Sequence, residues 1–315
     1  MTKFALLACM AAIAVLAAVT VPAHATAPGP DGRIAFASDR SSPGTQNIYS
    51  IRPDGTGLTQ LTFLTADQAG TSEPSWSPNG KSIVFTENSP DFSTFRIWLM
   101  NADGTNAHPL FDESGYNDFQ ANFSPDGSRV IFRRCSNDRE FCAIYSVKTD
   151  GHGLTALTHN VGTSKGENFD VKPEYSPDST RISFSSFNRG GVQNGIYLMG
   201  VHGSKFQLIT PTALEAVDAD WAPDGSKLAF WGPCCVSGPE TIWTIRPDGS
   251  GLQQLTDGSG GFDIRPSYAP RGDRIAFERI PFDFSPSSIY TMNADGTSQT
   301  LLVSDAGWPS WGPAQ

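Results

Sequence analysis

Carboxylates recur at fixed distances from aromatic residues along this chain, and carboxylates at a fixed spacing are the first candidates for chemistry. Six aromatics serve as reference points: Trp76, Phe123, Tyr175, Trp221, Tyr268 and Trp311. Five residues before them stand Thr71, Asp118, Asp170, Ala216, Asp263 and Ala306. Three residues before them stand Glu73, Gln120, Lys172, Asp218, Arg265 and Trp308. Brought together, Glu73, Asp118, Asp170, Asp218, Asp263 and Trp308 would form an acidic, aromatic-flanked site. Such a site could hold a basic peptide segment, work on a glycosidic bond as a carboxylate pair, or ligate a structural Ca2+ through oxygen. The bland alternative is that each Asp accepts hydrogen bonds from nearby backbone amides, as Asp does in turns.

Other reactive types are sparse. Cys135 and Cys142 bracket a short segment and suit a disulfide in an oxidising compartment. Cys234 and Cys235 are adjacent, so they form a vicinal disulfide or remain thiols. Zinc is disfavoured because the usual two-residue gap between ligands is missing. His108, His152 and His202 fall outside the candidate loops and only His159 lies near them. A three-histidine metal site or a histidine-based triad is therefore hard to assemble, and no Gly-x-Ser-x-Gly elbow occurs. These patterns favour a binding protein over an enzyme.

The elements that must position these residues are repeats. Trp76-Ser-Pro-Asn-Gly80 recurs as Phe123-Ser-Pro-Asp-Gly127, Tyr175-Ser-Pro-Asp-Ser179, Trp221-Ala-Pro-Asp-Gly225 and Tyr268-Ala-Pro-Arg-Gly272. The start holds the back half alone, Pro30-Asp31-Gly32, and the end holds the front half alone, Trp311-Gly312-Pro313. A period of about 47 residues marks blades or solenoid units. Each unit predicts a strand (33–37, 82–86, 129–133, 181–185, 227–231, 274–278), a variable loop and a second strand. An Asp-Gly-type turn follows, supplying the positive φ that hairpins require, and then a short closing strand. Four antiparallel strands in six units predict an all-β, six-bladed propeller. The split repeat predicts that 309–313 supply the inner strand that the first blade lacks, which removes two exposed sheet edges.

The aromatic-Ser-Pro-Asp-Gly turn, the Ile/Val-x-Phe strand and the Ile-Tyr/Trp-x-Met-Asn-x-Asp-Gly strand together resemble the TolB-type propeller repeat, over nearly the whole chain after residue 25. Related blades occur in prolyl-oligopeptidase-type enzymes and in WD40-like bacterial proteins. TolB carries an α/β domain before its propeller, whereas here the first blade begins close behind the leader. The resemblance implies a propeller that recognises a protein or peptide partner, with an envelope component favoured. The alternative is a carbohydrate-binding or carbohydrate-active propeller.

Topology sorts the loops. The Pro-Asp-Gly and x-Asp-Gly turns share one plain face, and the variable loops share the other. Function sits on loops held by a rigid scaffold, so the variable face is the candidate. Its acidic residues predict a negative funnel mouth, and exposed phenylalanines such as Phe92, Phe282 and Phe284 predict loop packing or a binding patch.

Residues 1–25 read as a secretory signal peptide: Lys3, an apolar run to Val21 and a small-x-small site at Ala23-His24-Ala25. The run is just long enough to act as an uncleaved anchor, but the cleavage signal directly after it favours removal. Residues 26–315 then form one propeller domain, periplasmic or secreted, with no stable membrane span and no enzymatic cofactor. A formal net charge of −10 argues against nucleic acid, whose phosphates require a basic stripe.

Overall fold

The computed structural model describes residues 30–65, 70–137, 142–159, 169–187, 189, 194–234 and 238–314. The leader and Cys235 lie outside the described residues. Twenty-four strands, numbered β1 to β24 in chain order, form six four-stranded antiparallel sheets. The chain is a six-bladed β-propeller.

Closure follows the split repeat. Strand β24 (Gly307–Pro313) pairs with β1 (Asp31–Ser38), with Ile34 opposite Trp311 and Ala35 opposite Ser310. The blade order β24-β1-β2-β3 makes the first blade a composite of both chain ends. The remaining innermost strands are β4 (Gly70–Trp76), β8 (Tyr116–Phe123), β12 (Phe169–Tyr175), β16 (Val217–Trp221) and β20 (Phe262–Tyr268).

Blades stack face to face through phenylalanines one pleat apart from the core isoleucines and valines. Phe36, Phe85, Phe132, Phe184, Phe230 and Phe277 are each almost fully buried. The cluster between the first two blades is typical: Ala35 and Ile48 pack against Trp76, Ile83, Phe85 and Met100. Each such side chain contributes roughly 1.5–3 kcal/mol on removal from water. On the plain face, turn aspartates accept from the amide two residues on, at 2.9 Å for Asp54–Thr56 and 3.0 Å for Asp295–Thr297. A large share of the chain's acid is therefore turn architecture.

A disulfide joins Cys135 and Cys142, which are directly paired across strands. Closing that short loop stabilises by about 2–3 kcal/mol on the chain-entropy view.

Candidate functional site

All six residues three positions before the anchor aromatics adopt a left-handed backbone: Glu73, Gln120, Lys172, Asp218, Arg265 and Trp308 have φ between 50° and 58°. Each lies at a register shift of its innermost strand, as between Ser72 and Ser75 or between Ile264 and Ser267. This is a bulge that bends the strand and re-aims a side chain. The repeated bulge brings the six side chains to the funnel wall.

There Glu73 and Gln120 bond across to the next blade, while Asp218 and Arg265 bond within their own. The Glu73 Oε2 atom accepts from the Gln120 amide at 2.9 Å and from Thr86 at 2.8 Å. Gln120 Oε1 accepts from the Lys172 amide at 2.9 Å. Ser185 Oγ accepts from the Asp218 amide at 2.8 Å, and Asp218 accepts from Trp231 Nε1 at 3.1 Å. Glu278 accepts from Arg265 at 2.8 Å and from the Trp308 amide at 3.0 Å, while the Arg265 guanidinium stacks 3.4 Å from the Trp308 ring centre.

The acidic mouth expected from the sequence is neutralised from within. Asp118, Asp170 and Asp263 are each 0% exposed. Asp118 receives Arg134 Nε at 2.7 Å and Nη2 at 2.9 Å. Asp263 receives Arg279 Nε at 2.5 Å and Nη2 at 2.9 Å. Asp170 receives Arg189 and Ser186, both at 2.6 Å. The aspartates are neither open to a ligand nor spent on backbone amides, because cross-strand register and the adjoining loops deliver arginines that a count of inter-blade acids overlooks. Burial pushes the Asp118 carboxyl up, more than Arg134 pulls it down. The bulge ring itself carries two acids and two bases among its six side chains.

A cavity of about 920 Å3 opens between blades 3 and 5 of this face. Its lining mixes apolar and aromatic residues (Phe169, Val171, Phe187, Val217 and Trp231) with Glu215, Asp218 and Glu240, and it includes Gln120 and Arg133. The Arg133 guanidinium lies 5.0 Å from the Phe119 ring centre and 4.4 Å from that of Phe169. The structure therefore brings Asp218 to the cavity, while Glu73 and Trp308 serve the funnel wall. Cys234 also lines the cavity.

Three residues of this face escaped the sequence reading, Arg133 and Trp231 at the cavity and Glu278 beside Arg265 and Trp308. Arg133, Trp231 and Glu278 each follow a buried strand phenylalanine, a position equivalent in every blade, and that offset was the available signal. A second missed set stands one residue before the anchors: Ser75, Asn122, Glu174, Asp220, Ser267 and Ser310, which ring a narrow axial cavity of about 50 Å3. Here Glu174 accepts from the Trp221 amide at 3.3 Å, Asp220 from the Tyr268 amide at 2.7 Å and Ser267 from the Trp311 amide at 3.0 Å, each reaching the next blade. Glu174 and Asp220 are half-buried neighbours at this cavity. Burial first, and the adjacent Asp220 charge second, hold the Glu174 carboxyl well above its ordinary range. Burial pushes Asp220 up to about 6. Two carboxyls raised together in this way favour one proton held between them. Among the described residues, no group of three or more His, Cys, Asp or Glu converges as metal ligands do, and no helix is long and apolar enough to cross a membrane.

The TolB beta propeller domain family matches residues 16–166 and 120–315. This chain belongs to the TolB β-propeller family. It is similar to a TolB homologue of Chlorobium luteolum, 29% identical over 177 residues, covering 55% of this chain and 36% of the relative. It is also similar to dipeptidyl-peptidase 5 of Porphyromonas gingivalis, 26% identical over 206 residues, covering 62% of this chain and 28% of the relative. The chain thus spans about a third of the length of these curated relatives. TolB from Acinetobacter baumannii superposes with a TM-score of 0.73 at 20% identity, covering 90% of this chain and 67% of that one, which is a likeness of fold.

Proposed function

We propose that this TolB-family propeller is an exported, non-enzymatic platform that receives a segment of a protein partner in the cavity between blades 3 and 5. The observation that carries this reading is the cavity's mixed apolar and acidic lining. Phe169, Phe187 and Trp231 offer apolar burial, while Glu215, Asp218 and Glu240 offer negative charge. A segment that pairs an apolar or aromatic side chain with a nearby basic one fits that lining. The ring is closed and inter-blade bonds fix its funnel, so little ordering entropy opposes binding. Charge at the edge sets orientation and encounter rate more than affinity. The leader supports a periplasmic or secreted location, and an envelope protein is the partner this location favours.

Enzymatic work is the weaker reading. The aspartates that would serve as a glycosidase pair are buried against arginines. The peptidase relative is matched over 28% of its length.

Site-specific photo-crosslinking in the native host tests the proposal. A photoreactive residue at Leu214 or Glu240 is expected to trap one discrete partner. The same residue at Ser128 or Thr180 on the plain face is expected to trap none, and Glu215→Lys with Glu240→Lys should suppress the adduct. Equal labelling from both faces would overturn the assignment.

A further inference from the structure

Four of the six blades lay a guanidinium over the same pair of neighbouring rings, stacked in three of them and tilted in the fourth. Arg40 stands 5.2 Å from both Phe36 and Tyr49 ring centres. Arg134 stands 5.6 Å from Phe132 and 5.4 Å from Tyr145. Arg189 stands 5.5 Å from Phe184 and 5.9 Å from Tyr197. Arg279 stands 5.3 Å from Phe277 and 4.6 Å from Tyr290. These arginines leave from different points in the chain, two from the second strand of the blade and two from the loop after it. They arrive at one place, and the residue is arginine every time. A planar guanidinium stacks on a ring and pairs with a carboxylate through parallel donors, which a lysine ammonium does not do.

Blade 2 keeps the acceptor half of this arrangement. Phe85 and Trp98 stack with ring centres 6.3 Å apart. Glu87, on strand β5 (Ser82–Asn88), holds the register position of Arg134 and Arg279: it faces Thr71 across the sheet, as Arg134 faces Asp118 and Arg279 faces Asp263. Strand alternation puts Glu87 on the face that carries Phe85. Glu87 and Trp98 are both partly open to solvent. Arg96 stands opposite Glu87 on the next strand but gives its guanidinium to the Phe95 and Tyr116 carbonyls, at 3.2 and 2.7 Å, and among the described residues no cation lies over Phe85 or Trp98 and no donor bonds the Glu87 carboxyl. Burial alone pushes that carboxyl up to about 7. Blade 5 shows the contrasting solution. Gly232 takes the equivalent position, and the Trp243 indole bonds the Gly232 carbonyl at 3.3 Å.

We infer that Glu87, Trp98 and Phe85 form a receptor on the loop face of blade 2 for the arginine side chain of a partner protein, the partner supplying the guanidinium that four other blades supply themselves. The carboxylate accepts the guanidinium in its plane while the indole covers its face. This subsite is separate from the cavity between blades 3 and 5, and either can fail without the other.

The test uses N-acetyl-arginine N-methylamide, with its lysine and citrulline counterparts, against the full folded chain. The readout is the Trp98 indole N–H resonance, assigned by Trp98→Phe. A saturable shift in the millimolar range is expected with arginine, several-fold weaker with lysine and absent with neutral citrulline. Glu87→Gln is expected to weaken the arginine response about tenfold by removing the charge-assisted pair. Thr71→Asp with Glu87→Arg rebuilds the pair of blades 3 and 6, so the chain should fill its own site and the response should vanish. No saturable shift in the natural chain would overturn the inference, as would an equal response to lysine or an undiminished response in Glu87→Gln. The last outcome decides the matter even where the double variant folds poorly.

Discussion

Replacing Glu174 with glutamine should stabilise the protein at neutral pH, and the gain should grow with pH. With its carboxyl held well above the ordinary value of 4.5 by burial and by the neighbouring Asp220 charge, Glu174 is expected to stay protonated in the fold, whereas in the unfolded chain it ionises above that value. A carboxyl whose folded pKa is raised contributes its full stability below the unfolded value and loses it as pH rises. The loss runs at about 1.4 kcal/mol per pH unit for one proton. From pH 4.5 to 7 that amounts to about 3 kcal/mol, provided Glu174 keeps its proton throughout. Glutamine carries no such loss. Its amide still donates to Asp220, and its carbonyl still accepts from the Trp221 amide that Glu174 now holds at 3.3 Å. Asp220, raised to about 6, adds its own loss in both proteins and cancels to first order. Urea unfolding of both proteins from pH 4 to 8 measures the difference. The variant should match the natural chain near pH 4 and exceed it by about 3 kcal/mol at pH 7. A difference that stays flat across that range means Glu174 is ionised in the fold, and the shared proton is then wrong.

Two further outcomes follow from the geometry. Asp118→Ala leaves Arg134, whose side chain is 2% exposed, with Glu113 as its remaining carboxylate partner. Stranding a buried charge costs about 3–5 kcal/mol, so a loss below 1 kcal/mol in thermal or urea unfolding would refute the pairing, and adding Arg134→Leu should recover much of it. Removing 307–315 strips β24 from β1 and exposes an unpaired edge, so sedimentation should show self-association in place of a monomer. An equally stable monomer would refute closure by the chain ends.

The propeller was legible because its signals are local and repeated. A Pro-Asp-Gly turn, a strand with a central phenylalanine and a second Asp-Gly turn each declare themselves within a dozen residues. The divided repeat at the termini likewise announced that 309–313 complete the first blade, and the structure adds the register, with Trp311 opposite Ile34. The chemistry of the mouth was not legible, because it depends on what crosses the sheet. Asp118 and Arg134 are sixteen residues apart, as are Asp263 and Arg279, and that shared interval is the hairpin register. Asp170 meets Arg189 at nineteen, from a loop, with no matching pair to reveal it. Counting acids along inter-blade loops therefore found the carboxylates and missed the cations that neutralise them. The pair Glu174 and Asp220 escaped for a related reason: each looks like an ordinary strand residue until the ring closes and places them side by side.

The bulge ring shows how the fold separates backbone from side chain. A left-handed conformation costs a residue with a Cβ roughly 1–2 kcal/mol, and glycine would adopt it freely. Yet none of the six positions is glycine; they hold Glu, Gln, Lys, Asp, Arg and Trp. The conformation recurs while the side chain changes every time, so the blade dictates the backbone and leaves the chemistry open. Strain tolerated at six equivalent places implies that each side chain returns something. At Glu73, Gln120 and Asp218 the return is visible as bonds to a neighbouring strand or to the next blade. At Arg265 and Trp308 it is a stacked pair beside Glu278 at the seam where the ring closes. The Lys172 charge lowers the Glu174 and Asp220 carboxyls against the burial that raises them. The blade thus sets the bulge whatever residue occupies it, while the bonds that tie one blade to the next come from particular side chains, Glu73 and Gln120 among them.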